Sequence, residues 1–102
     1  LIQPGAMRPL TCEFIMEVVS NYYGVTVDDL KSRKRSQNIV IPRRVAMFLS
    51  RKKLGLTYEE IGTAFGGKNH ATVMHACDKM NEDLETDFDL QEALEKIEAR
   101  LQ

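Results

Sequence analysis

An all-α fold of about six helices, with a helix-turn-helix at its centre, is what this sequence predicts. Three observations carry the prediction. Apolar residues recur at helical spacing along most of the chain, and nowhere do they alternate with polar ones as a strand requires. Residues that cap helices stand at the heads of these apolar runs, several with a carboxylate three positions on. The stretch from Thr57 to His75, TYEEIGTAFGGKNHATVMH, reads as two short helices joined by glycines. With 102 residues the chain has room for one domain and one modest core.

The opening segment, LIQPGAMRPL, holds prolines and a glycine but no helical pattern. Residues 1–10 therefore read as a linker, a tag remnant or the tail of a preceding domain, and residues 11–102 as the domain proper. The first helix runs from Thr11 to Tyr23, with Phe14, Ile15, Val18, Val19 and Tyr22 on one face, and Gly24 ends it. A short second helix starts at Thr26, whose hydroxyl can cap it while Asp29 completes the capping box. Leu30 anchors that helix to the core. Ser32 to Asn38, SRKRSQN, has nothing apolar to bury and reads as a basic loop. Ile41-Pro42 opens the third helix, with proline in the first turn where a missing N–H costs nothing. Its buried stripe is Val45, Phe48 and Leu49.

Beyond Gly55, Thr57 and Glu60 form the capping box of a fourth helix, and Ile61, Ala64 and Phe65 its apolar face. Gly66-Gly67 stops it, because glycine adopts the left-handed conformation that a sharp exit needs. Asn69 caps a fifth helix, whose stripe of Val73, Ala76 or Cys77, Met80 and Leu84 extends to Glu85. Asp89, with Glu92 three residues later, resembles the cap of a closing helix carrying Leu90, Leu94, Ile97 and Leu101. Two heptads are too few for a zipper, so this helix is expected to pack on its own domain.

The net charge of -1 hides a segregation. Between Leu30 and Tyr58 there is no Asp or Glu, while Lys31, Arg33, Lys34, Arg35, Arg43, Arg44, Arg51, Lys52 and Lys53 all fall there. From Asp78 onward carboxylates dominate. A basic third can attract phosphates even on a near-neutral chain, with the acidic end turned away. Arg43 and Arg44, placed in the first turn of the third helix, oppose its dipole, a cost that a bound phosphate would offset. In a helix-turn-helix the second helix presents its N-terminal residues to base edges in the major groove. Here that end carries Lys68, Asn69, His70, Ala71 and Thr72.

The run AFGGKNHATVMHACDKM resembles the signature of the DNA-binding domain of the DnaA family of bacterial replication initiators. That signature is FGG, then Arg-Asp-His-Thr-Thr, then Val-x-His-Ala. YYGVTVDDLKSRKRS and IPRRVAMFLSRK extend the resemblance upstream in matching order, so that it covers roughly Thr11 to Met80. It implies a TrpR-like all-α domain that binds double-stranded DNA at AT-rich boxes of an origin. It also implies that Arg35, in the basic loop, enters the minor groove. Base reading then falls to Asn69, His70, Ala71 and Thr72 in the major groove, with Arg44 at its edge. Phosphate contacts fall to Arg33, Lys34, Arg43, Arg51 and Lys68, with Lys31, Lys52 and Lys53 as further candidates. The family has Asp-His-Thr-Thr where this chain has Asn69-His70-Ala71-Thr72, which bears on the sequence recognised. The expected setting is the bacterial cytoplasm, at the nucleoid, with further DnaA domains or copies as partners.

Other chemistries fit less well. His70 and His75 are five apart, which on a helix puts them on different faces, so with Cys77 they make a poor metal set. His75 is expected to be partly buried and hydrogen-bonded, and Cys77 to lie in the core. With only Cys12 and Cys77 there is no disulfide framework, and both read as reduced thiols. Gly66-Gly67-Lys68 lacks the spacing of a P-loop. No catalytic constellation stands out, so no enzyme and no cofactor are expected of this chain, ATP belonging to an ATPase module elsewhere. No small-molecule substrate, signal peptide or membrane segment is expected either. Two other uses remain: the DNA-binding part of a small regulator or transposase, and an adaptor that binds protein through its acidic last helix.

Overall fold

The computed structural model describes residues 9–102, which form six helices and no strand. These are α1 (Cys12–Tyr23), α2 (Val27–Lys31), α3 (Gln37–Leu54), α4 (Tyr58–Ala64), α5 (His70–Asp83) and α6 (Phe88–Arg100). The stretch read as a linker, residues 1–10, lies outside the described residues except for its last two.

Side-chain caps place most boundaries. Thr11, Thr26, Thr57 and Asn69 each accept an N–H from the first turn of the helix that follows. Thr26 with Asp29, and Thr57 with Glu60, form complete capping boxes. Where the cap is weak, the expectation fails. α3 starts at Gln37 rather than at Ile41, because the helix begins at Ser36, which makes no side-chain cap bond. The basic loop is correspondingly shorter, and Pro42 lies inside the helix. Proline there withholds the N–H due to the Asn38 carbonyl, but Asn38 is exposed and water can take its place. α5 ends at Asp83, before Glu85. α6 starts two residues early because Asp87, not Asp89, is its cap, accepting from the Leu90 N–H at 3.0 Å.

α3 is the spine, packed against α1, α2, α4 and α5. Around it Ile15, Met16 and Val19 of α1, Leu30 of α2, Ile61 and Phe65, and Val73 and Met80 of α5 are shut off from solvent. Each such side chain contributes roughly 1.5–3 kcal/mol by leaving water. α6 lays Leu90, Leu94 and Ile97 onto this core beside α1, so it does pack on its own domain. Phe14 and Tyr22 are only half-buried, and Met16, off the expected stripe, is fully buried because α1 is covered on more than one side.

The α4–α5 crossing depends on Gly62. Its carbonyl accepts from the N–H groups of Gly67 (3.0 Å) and Lys68 (2.8 Å), and a Cβ at Gly62 would collide with the Lys68 carbonyl. That close approach aims the start of α5 outward. No helix among the described residues is long and apolar enough to cross a membrane.

Candidate nucleic-acid interface

The polar run that heads α5 is presented to solvent: Asn69, His70 and Thr72 are exposed and Ala71 is half-buried. Asn69 Oδ1 accepts the Ala71 N–H at 2.7 Å. The cap therefore takes the oxygen and leaves the side-chain amide hydrogens to donate elsewhere. Across from this helix end stands the basic loop, which the fold returns to the same place. Arg33, Lys34 and Arg35 line one hollow of about 440 Å³ with Lys68, Asn69 and Thr72. Loop and helix start are more than thirty positions apart in sequence, so only the packing of α2 on α3, and of α3 on α4 and α5, joins them.

The cations in this hollow are not equivalent. Arg33 and Arg35 are exposed and make no hydrogen bond or ion pair among the described residues. Lys34 pairs with Asp29 at 2.8 Å. That bond, with the Thr26 N–H of the capping box, holds the Asp29 carboxyl below its usual range. Arg43 is a different case. It lies in the second turn of α3, not the first, so the dipole argument that placed it on a phosphate does not apply. The residue is 9% exposed, and its guanidinium donates to the carbonyls of Leu30 (2.9 Å), Lys34 (2.9 Å) and Asp29 (3.0 Å), and to Ser32 Oγ (3.3 Å). Lys68 likewise donates to the carbonyls of Lys31 (2.8 Å) and Phe65 (3.0 Å), which leaves one ammonium proton. Burial, then the nearby Arg43 and Arg33, push the Lys68 amine down from its ordinary value.

Arg44 is half-exposed and its side chain makes no hydrogen bond or ion pair among the described residues. It lines a second hollow, of about 280 Å³, with Thr72 and His75. His75 is exposed and its side chain makes no hydrogen bond among the described residues, contrary to the expectation of a partly buried, bonded residue. It sits one turn beyond Ala71 and Thr72 on the same face. Sequence reasoning missed it as a candidate by testing it only as a metal ligand or a core residue. Its i+3 and i+4 spacing from Thr72 and Ala71 was the available signal.

Arg51 lies elsewhere. It lines neither hollow, donates to the Leu56 carbonyl at 2.8 Å and stacks 4.4 Å above the Tyr58 ring, bracing the α3–α4 connection. Lys52 and Lys53 both reach Glu98 of α6, at 3.1 and 3.0 Å. The acidic end is thus not wholly turned away from the basic stretch, because one of its carboxylates neutralises two of these lysines. Lys31 pairs with Glu13 at 3.4 Å.

Among the described residues no three His, Cys, Asp or Glu side chains cluster as a metal set. Burial pushes the thiols of Cys12 and Cys77 up, away from the thiolate that a nucleophile needs. Cys12 shares a hydrogen bond with Ser50 at 3.3 Å.

A short helix, a glycine turn that exposes the head of a second helix, and free arginines beside that head define a DNA-binding helix-turn-helix domain. The sequence pattern of the family described as "Bacterial dnaA protein helix-turn-helix" matches residues 12–80, and the chain belongs to that family. The matched span takes in α1 to the buried stripe of α5, and hence both hollows.

Proposed function

We propose that this domain recognises a DnaA-type box in double-stranded DNA and so delivers a replication initiator to an origin. One observation carries the proposal. Arg33 and Arg35, without hydrogen-bond or ion-pair partners among the described residues, stand beside the exposed head of α5 in a single hollow. Cations gathered without anions repel one another, and a polyanion relieves that repulsion while releasing its own counterions. In this reading Asn69, His70, Ala71 and Thr72 face bases in the major groove with Arg44 at the edge, and Arg35 enters the adjacent minor groove. Arg33 holds a phosphate, joined by Lys34 once it leaves Asp29 and by the spare proton of Lys68. The setting is the bacterial cytoplasm. ATP, if the initiator uses it, binds an ATPase module outside this chain, and other DnaA domains or copies are its protein partners.

The test is a fluorescence-anisotropy titration against duplexes with and without a DnaA-type box at several salt concentrations. Binding to the box at least about 10³-fold tighter than to unrelated DNA is expected. Equal affinity for both duplexes would overturn origin targeting while leaving general DNA binding in place.

A further inference from the structure

Two of the cations in the first hollow are turned inward, and what they hold is specific. α2 is a five-residue helix; at its C-cap the Asp29 carbonyl accepts from the Ser32 N–H (3.1 Å) and Ser32 Oγ (2.7 Å), while the last carbonyls, of Leu30 and Lys31, have no partner within the helix. Arg43 takes the carbonyls of Asp29 and Leu30, and Lys68 takes that of Lys31. Cations suit a helix C-terminus, and a planar guanidinium can serve several carbonyls at once. Arg43 also holds the Lys34 carbonyl, the peptide bonded directly to Arg35, so the backbone bearing the free arginine is gripped at its root. Lys68 completes the joint from the other side, since it immediately precedes the Asn69 cap and also holds Phe65 at the end of α4. There is no slack between the two. Gly66 has φ +85, and a Cβ on it would run into the Lys31 carbonyl, so turn and helix end meet backbone to backbone.

We infer that Arg43 and Lys68 are positioning residues: by sharing the C-terminal carbonyls of α2, they hold the Arg35 loop at a set distance from the head of α5. The two readers then meet DNA in one register. This rests on the reading of the preceding section, in which Arg35 and α5 occupy adjacent grooves. A guanidinium with four of its five N–H groups on protein acceptors has little left for a phosphate. That distinguishes Arg43 from Arg33.

The experiment compares the parent domain with Arg43→Lys, which keeps the charge but cannot bridge three carbonyls, and with Gly66→Ala, which keeps every charge and opens the joint from the turn side. Binding to box and unrelated duplexes is measured across salt, alone and combined with Arg35→Ala, with melting curves to establish folding. Amide hydrogen exchange of residues 32–36 is followed without DNA. Expected for both variants is faster exchange in that loop, about a tenfold loss of box preference, and an unchanged salt slope on unrelated DNA. Combined with Arg35→Ala, either variant should cost no more than Arg35→Ala alone, because Arg43 acts through Arg35. Arg43→Lys that binds the box like the parent, or penalties that add with those of Arg35→Ala, would overturn the inference and leave Arg43 a phosphate ligand. A parent domain that shows no box preference overturns the preceding reading and, with it, this one. A folded parent that selects the box while the variants do so equally overturns this one alone.

Discussion

The basic loop and the last turn of α3 come from the same acid-free stretch of sequence, yet their cations meet opposite fates. At the loop, Arg33 and Arg35 have no hydrogen-bond or ion-pair partner among the described residues and face the head of α5. At the other end of α3, Arg51 is spent on a carbonyl and a tyrosine ring, and Lys52 and Lys53 on Glu98. Charge density along the chain is similar in the two places. The difference is what each is folded against: a glycine turn in one case, where the nearby Asp29 pairs with Lys34 and leaves Arg33 and Arg35 unclaimed, and the acidic α6 in the other. A run of basic residues thus marks where a polyanion could bind, and the partners brought in from elsewhere decide which part of the run is available.

The largest effect should come from breaking the comparison at its open end. Arg35→Ala is expected to weaken binding to a box by roughly 1–3 kcal/mol with no change in fold, since its loop buries nothing apolar. Lys52→Ala with Lys53→Ala should leave the same titration almost unchanged. If the pair of lysine changes costs as much as the single arginine, the two clusters are not distinct. The salt dependence sharpens the point. Five phosphate contacts would make log K against log salt fall with a slope of about -4 to -5, whereas the three assigned above, Arg33, Lys34 and Lys68, give about -3. A slope near zero would remove phosphate binding altogether.

A comparable shift is expected within the recognition helix, in preference rather than in affinity. Asn69→Asp keeps the cap, so stability should hold within about 0.5 kcal/mol. It removes the amide donor, and base preference at one position should change by roughly 1–3 kcal/mol. Ala71→Thr should shift a neighbouring pair. Selection from a randomised duplex pool with the parent and both variants decides this, and identical recovered sequences would mean that these side chains do not read bases.

The smallest effect concerns the closed cluster. Burial alone would raise the Glu98 carboxyl, but the bonds from Lys53 and Lys52 outweigh it and hold the group below its usual value of 4.5. Its contribution to stability is therefore complete above that value and is lost as pH falls through the lower folded value. Glu98→Gln should remove this part of the acid dependence and cost about 0.3–1 kcal/mol at neutral pH, as exposed pairs do. It should also let Lys52 and Lys53 tighten binding to unrelated DNA at low salt. Acid melting curves that superimpose for parent and variant would show that the pair does not matter.

By itself the sequence determined the local layout. Thr26 with Asp29, Thr57 with Glu60, and Asn69 start helices through bonds reaching at most three residues, so their effect was legible from spacing alone. Periodicity likewise found Ile61, Phe65, Val73 and Met80 for the core. It failed at the start of α3, where Ser36 makes no cap bond and Pro42 mimics a helix opening. The tertiary structure alone decided which cations are free. Arg43 and Arg44 are adjacent and chemically alike, and nothing in the sequence separates them. One helical step turns Arg43 beneath the end of α2, onto three carbonyls, and leaves Arg44 half-exposed beside Thr72 and His75. The acceptors that claim Arg43 are backbone carbonyls, which every residue possesses, so no residue type announces them. Their arrangement at the end of α2 exists only once α2, α3 and the Gly66 turn have packed.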